Sequence, residues 1–296
     1  MSTPVAIELL SLVFSLPQLV AQEEGYFADE GLDVSFVSKE SAAVTYLENH
    51  ELLSAFGATK SHFESGEAAL YRACEWGQIR RSYDSTIGGR IVSKRAAVAG
   101  QGIVVRPDSP DVHLSDLANK EVAVNFHHGS HYVALQMLEG FVPRDEIKVV
   151  HLGGPQQRLT ALRDNEIPAA ALMEPWLTLA EKQGYHVLAE AFYTGSEVAG
   201  AAVDVDTYDA IGRAVNRAVV KLNENPRRYL HHLIAEVPPE FGELSPQDFP
   251  LRRFRFVPQE PYPEEQFQRT YEWMLGWGLM QDDSGYHNLV HNLITT

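Results

Sequence analysis

The feature that most constrains this chain is a strict alternation of short apolar runs with helix-period segments between Glu121 and Ala189. Glu121–Phe126, Ile147–Leu152, Ala169–Met173 and His186–Ala189 read as strands. Ser130–Glu139, Gln156–Asp164 and Pro175–Gln183 read as helices, the first with Val133, Ala134, Met137 and Leu138 on one face. A βαβαβαβ unit of this kind forms right-handed crossovers and a parallel sheet. The N-terminal part repeats the rhythm less evenly. Val5–Leu10, Asp33–Val37 and Leu52–Phe56 are predicted strands, and Pro17–Glu24, Ser41–Asn49 and Phe63–Trp76 predicted helices. Ala96–Val105 is a long strand ended by Pro107 and Pro110. Beyond it come a long helix (Tyr208–Asn223), an aperiodic Pro-rich stretch (Val237–Pro263), and helices over Glu264–Leu279 and Gly285–Ile294.

Charge then narrows the partners. With 24 basic and 40 acidic residues the formal charge is −16, which repels phosphate backbones and excludes nucleic acid as the natural ligand. The single cysteine, Cys74, rules out an internal disulfide and a Cys-based zinc site. No run of about 20 apolar residues occurs, so no membrane span is expected. The apolar stretch at 4–21 is interrupted by Glu8, and the first basic residue is Lys39, unlike a secretory signal. As given, the chain is expected in the cytoplasm. A periplasmic or lipid-anchored location follows only if a signal has been removed.

Several segments resemble a known family. Glu24-Gly25-Tyr26-Phe27-Ala28-Asp29-Glu30-Gly31-Leu32-Asp33-Val34 is similar to the "GYF…GLDV" signature of nitrate/sulfonate/taurine and NMT1/THI5-like substrate-binding proteins. Val104–Pro110, Leu114–Leu117 and Glu121–Val124 follow in the family's order, as do Gly129-Ser130, Ala161–Ile167, Glu174-Pro175-Trp176 and Glu272-Trp273-Met274. Pro168 stands where the family has Asp, and residues 52–60 depart from the usual strand. The resemblance implies an α/β, two-lobed type II periplasmic-binding-protein fold with a ligand cleft between lobes. Lobe 1 would comprise 1–105 and 195–296, and lobe 2 would comprise 106–194, with hinges near Gly102–Arg106 and Thr194–Ala201.

Candidate site residues lie where strands end and helices begin. At Phe126–Tyr132, Gly129 permits a tight turn and Ser130 stands at a helix start, whose free N–H groups and partial positive charge favour an anionic group. His127, His128 and His131 add donors or titratable groups. The plainer alternative is an ordinary capped helix with surface histidines. Glu174 and Trp176 follow an apolar strand, where open α/β sheets bind ligands, the one as acceptor and the other as a stacking wall; otherwise they are a cap and a core residue. In lobe 1, Ser15 and Gln18 flank the turn Ser15-Leu16-Pro17 that opens a helix, with Phe14 beside them. Thr59, Lys60 and His62 follow the short strand. Cys74, near Arg72, Arg80 and Arg81, is a nucleophile candidate set against a half-buried helical cysteine. The pairs His127/His131 and His287/His291 have i, i+4 spacing but lack a third ligand, so neither a metal nor a cofactor is expected.

Two functions remain. One is a binding module that closes on a small organic, anionic or polar molecule and hands it to an ABC permease if exported. The other is a cytoplasmic enzyme on the same fold, a lyase, decarboxylase, desulfinase or hydrolase acting on a small aromatic or heterocyclic acid. The resemblance extends to such relatives, among them an aromatic sulfinate desulfinase and the thiamine pyrimidine synthase. His131, Glu174, His62 or Cys74 would then carry the chemistry. The desulfinase's cysteine has no counterpart in residues 10–16, and the cysteine-rich motif of the thiamine enzyme is absent.

Overall fold

Among the described residues nine strands, numbered in chain order with the ranges given below, share one sheet in the order β2-β1-β3-β8-β4-β7-β5-β6, with β9 paired to β4. The computed structural model describes residues 2–38, 46–52, 55–56, 61–281 and 283–294. In chain order the N-terminal elements are β1 (Thr3–Leu9), α1 (Leu12–Glu23), α2 (Tyr26–Asp29), β2 (Leu32–Ser38), β3 (Leu70–Cys74), α3 (Glu75–Asp84) and β4 (Arg90–Val105). Then come β5 (Glu121–Val124), α4 (Gly129–Glu139), β6 (Lys148–His151), α5 (Pro155–Arg163), β7 (Ala169–Met173), α6 (Trp176–Lys182) and β8 (His186–Ala199). The chain closes with α7 (Val205–Glu224), α8 (His231–Ile234), β9 (Arg255–Phe256), α9 (Glu264–Gly276) and α10 (Tyr286–Leu289).

Two parallel sets flank a long antiparallel pair. β1 runs parallel to β2 and β3, and β5 runs parallel to β6 and β7. Between them β4 and β8 lie antiparallel over their whole lengths. One half of this pair, Arg90–Lys94 with Ser196–Ala199, adjoins β3. The other, Val98–Val105 with His186–Thr194, adjoins β7. The register shifts between Lys94 and Val98, so the ladder is irregular where the two lobes meet.

The helices cover the sheet by burying small and branched side chains. In α7 the stripe Ile211, Ala214, Val215, Ala218 and Leu222 is buried against α1, which contributes Leu16, Val20 and Ala21. Each large apolar side chain so buried contributes about 1.5–3 kcal/mol. The C-terminal elements return to the N-terminal half of the chain: α9 and α10 pack on α3, and Val290 bridges Ile91 in β4.

Several local expectations need correction, among them the strand predicted over Leu52–Phe56, of which Leu52 ends a short 3-10 turn and Ala55 and Phe56 form a turn. The first helix opens at Leu12 with Ser11 as N-cap, so Ser15 lies inside it rather than at its start, and Pro17 sits in its interior. Phe63–Trp76 is not a helix: Leu70–Cys74 is a fully buried strand, whose apolar run imitates helical spacing. The last strand of the central unit does not join the parallel set; β8 pairs antiparallel with β4, on the side away from β7. Gly285–Ile294 is helical only over Tyr286–Leu289. Of the predicted Ser41–Asn49 helix, 46–49 are not helical and the remainder lies outside the described residues, as do Thr59 and Lys60.

Candidate functional site

The carboxyl ends of the two parallel sets face each other across the β4–β8 pair. From lobe 1, the chain leaves β1 and turns into α1 at Ser11, whose hydroxyl reaches Met173 Sδ at the end of β7 (3.8 Å). One turn on, Phe14 meets the Tyr193 ring edge-on at 5.7 Å. From lobe 2, β5 ends and the backbone swings through His127, at φ 60°, into α4. A Cβ at Gly129 would lie 2.1 Å from Tyr193 Oη, so glycine is required for this close approach. Ser130 Oγ accepts from Asn125 N (2.9 Å), and His131 Nδ1 accepts from His127 N (3.3 Å).

The walls are aromatic. Trp76 at the start of α3 stacks on Tyr132 (5.9 Å, 19°) and tilts against Tyr193 (5.4 Å). Cys74 caps α3 by accepting from Gly77 N (3.3 Å), and burial pushes its thiol up. A capped, buried thiol is poorly suited to nucleophilic work. Arg95 lies on β4 with its guanidinium 3.5 Å from the Phe14 ring centroid. It is 1% exposed and lies beside Tyr193, whose hydroxyl supports its charge, with no carboxylate against it among the described residues. Gln101 donates to Met173 Sδ (3.7 Å) and Tyr193 Oη (3.4 Å), leaving its carbonyl oxygen without a partner there.

A small cavity of about 10 Å³, room for one water, lies at the ends of β1 and β3, lined by Glu8, Leu10, Phe56, Ser61, Tyr71 and Arg81. Glu8 accepts from Ser61 Oγ (2.9 Å) and Phe63 N (3.0 Å). Arg81 donates to Ala55 O (3.0 Å) and reaches His128 of lobe 2 (3.0 Å), while its Nη1 and Tyr71 Oη have no partner among the described residues.

Beside this lies a histidine cluster. His50 packs within 5.8 Å of both His127 and His131, and His151 accepts from Phe126 N (3.1 Å). Desolvation lowers all four; His127 and His151 fall to about 4, and His131 lies well below its ordinary range. The segment carrying His50 is pinned to lobe 2 by a Leu47–His151 bridge and by Tyr46 Oη donating to Glu121 (2.9 Å).

The remaining predicted residues stand apart from this junction or are already engaged. Gln18 is fully buried and donates to Glu197 (2.9 Å); Ser15 is buried inside α1. His62 bonds Glu67 (2.6 Å), which raises its pKa, and Ser38 O (3.2 Å). Glu174, raised by burial, pairs with Arg253 (3.1 Å) and accepts from Thr178 (2.8 Å). Trp176 donates to Glu236 (3.2 Å), whose carboxyl burial pushes up to about 7. On the surface, Glu23, His231 and His232 bring ligand atoms within 4.8 Å of one another, joined by hydrogen bonds.

Sequence reasoning missed Arg95, Tyr193, Gln101, Tyr71, His50 and His151. One signal was readable: Lys94-Arg95 interrupts an apolar strand, and a charge in a strand covered on both faces must be buried.

Two α/β lobes joined by a pair of long strands, with strand ends and helix starts converging between them, define the architecture of periplasmic substrate-binding proteins. The NMT1-like family model matches residues 2–193, and the chain belongs to that family. No curated protein sequence matches. Among solved structures, the alkanesulfonate-binding protein SsuA from Xanthomonas axonopodis pv. citri, bound to MOPS, superposes with a TM-score of 0.73 at 14% identity, covering 98% of both chains. The periplasmic nitrate-binding protein NrtA from Synechocystis PCC 6803 gives 0.69 at 16% identity, covering 96% of this chain and 83% of its own. The desulfurization enzyme DSZB gives 0.65 at 14% identity, covering 98% and 96%. At these identities the likeness is one of fold.

Proposed function

We propose that this protein captures a small organic molecule with a polar head between lobe 1 (1–105 and 195–296) and lobe 2 (106–194), as the substrate-binding component that serves a membrane permease. The observation that carries this reading is the convergence of the ends of β1 and β3 on the start of α4, where Arg81 reaches His128 while its Nη1 and Tyr71 Oη lack partners among the described residues. Buried donors of this kind cost stability until a ligand satisfies them. The free N–H groups at Gly129 and Ser130 suit the head of such a ligand. SsuA and NrtA, which bind an alkanesulfonate and nitrate, supply the analogy for the class of cargo.

The enzyme alternative has less support. Cys74 is a helix cap, Glu174 is held by Arg253, and His131 is buried without a charged partner to activate it. The test is native mass spectrometry of the purified protein with a panel of organic acids, repeated on Gly129→Val. Wild type should retain a small molecule. The variant should fold but lose it, because its new side chain displaces Tyr193 from its packing on Phe14 and Trp76 of lobe 1. Equal retention by the variant contradicts the reading.

A further inference from the structure

Away from the junction between the parallel sets, His231 and His232 open α8, and Glu23 ends α1 beside them. Glu23 Oε2 lies 2.8 Å from His232 Nε2 and 3.2 Å from His231 Nε2. The two rings are 4.2 Å apart and tilted by 35°. Among the described residues this is the one group of His, Cys, Asp or Glu side chains whose ligand atoms all fall within 4.8 Å of one another.

Proton positions set the group apart from an ordinary ion pair. His231 Nδ1 lies 3.1 Å from Arg228 O. A carbonyl only accepts, so Nδ1 carries the proton and Nε2 of the neutral ring keeps a lone pair. That lone pair faces a carboxylate oxygen, which also only accepts. Two acceptors at this distance repel unless a cation, a second proton or a metal ion, joins them. The surroundings favour a cation. Arg228 is turned to Glu24 (2.6 Å) and leaves Glu23 to the histidines. α1 ends here with no basic residue in its last turn, so its free carbonyls keep that end negative. A chain of formal charge −16 also concentrates cations at its surface.

We propose that Glu23, His231 and His232 form a surface site for a borderline divalent cation of the zinc class, with a fourth position open to water. Two imidazole nitrogens and one carboxylate oxygen suit zinc, whereas magnesium and calcium take oxygen ligands. Tetrahedral zinc with bonds of about 2.0–2.1 Å spaces its ligands roughly 3.3 Å apart. The two N–O separations, 2.8 and 3.2 Å, are already near that spacing. Arg228 O is the outer partner that fixes the His231 ring for coordination. The ion ties the end of α1 to α8 and touches nothing at the start of α4, so the site stands or falls independently of the capture reading.

The experiment is isothermal titration of the untagged full chain with zinc chloride near neutral pH, on wild type, His231→Gln, His232→Gln and, as a control, His287→Gln, an exposed histidine beside Glu264. Wild type should bind zinc, and its affinity should fall at least about tenfold in each of the first two variants. His287→Gln should leave it unchanged. Zinc should raise the melting temperature of wild type and not of the two site variants. Their metal-free melting temperatures should stay close to that of wild type, because the side chains they lose are partly exposed. Cobalt(II) used in place of zinc should show the visible bands of a four-coordinate ion in wild type and those of the hydrated ion in the variants. No zinc uptake by wild type overturns the site. So does equal affinity in His231→Gln and His232→Gln, and His231 is then a protonated partner of Glu23.

Discussion

Arg72 and Arg95 sit on the two strands that flank β8, both buried, and differ in what surrounds them. Arg72 meets Glu197, which also accepts from Gln18 (2.9 Å), Tyr208 (2.6 Å) and Gln259 (2.8 Å). This network ties α1, α7 and the β3–β8 ladder together, and it explains why Gln18 turns into the wall of lobe 1. Glu197→Gln leaves Arg72 as a buried charge without its counter-ion. That change should destabilise the protein by about 3–5 kcal/mol, read as a fall in the urea midpoint. A loss under 1 kcal/mol would mean that water reaches the network.

At the scale of elements, β4 holds the main lesson about legibility. Its apolar C-terminal half is plain in the sequence, and the predicted strand there begins at Ala96. The true strand begins at Arg90, because β8 continues beside it and keeps the ladder bonded through Lys94, just before the irregularity that carries Arg95. Pairing with a distant strand is invisible to local periodicity, so Lys94 and Arg95 were read as lying outside the strand. The turn from β5 into α4 was legible, since Gly129 and Ser130 mark it locally. The contact of Gly129 with Tyr193 was not, because it joins residues 64 positions apart on α4 and β8.

The segment at 46–52 offers a second test at this scale. His50 packs on the β5–α4 turn with His127, His131 and His151, facing Arg80 and Arg81 from α3, Arg158 from α5, and Glu51. Desolvation holds His127 and His151 at about 4, against 6.5 when free. Between these values the open or unfolded chain binds more protons than the closed one. Stability is therefore full above 6.5 and lost as pH falls toward 4. Melting temperature followed from pH 7 to 4 should decline in wild type, and less steeply in a His127→Gln/His151→Gln variant. Parallel profiles would remove the cluster from the account.

For the whole molecule, the two-lobed α/β architecture was legible, because the alternation from Glu121 to Ala189 and the ordered family motifs both point to it. Its aromatic junction was not. Phe14, Trp76, Tyr132 and Tyr193 come from four elements and meet only when the lobes meet. In sequence each reads as an ordinary core residue. Glu174 and Trp176 match the family pattern, yet their side chains are engaged by Arg253 and Glu236.

The central claim is that a guest occupies the space between the lobes. A crystal structure of the protein grown with benzoate or benzenesulfonate examines it directly. The account predicts the acid between the lobes, its oxygens at the start of α4 beside Arg81 and Tyr71. Clear density for the acid at any other place would contradict it.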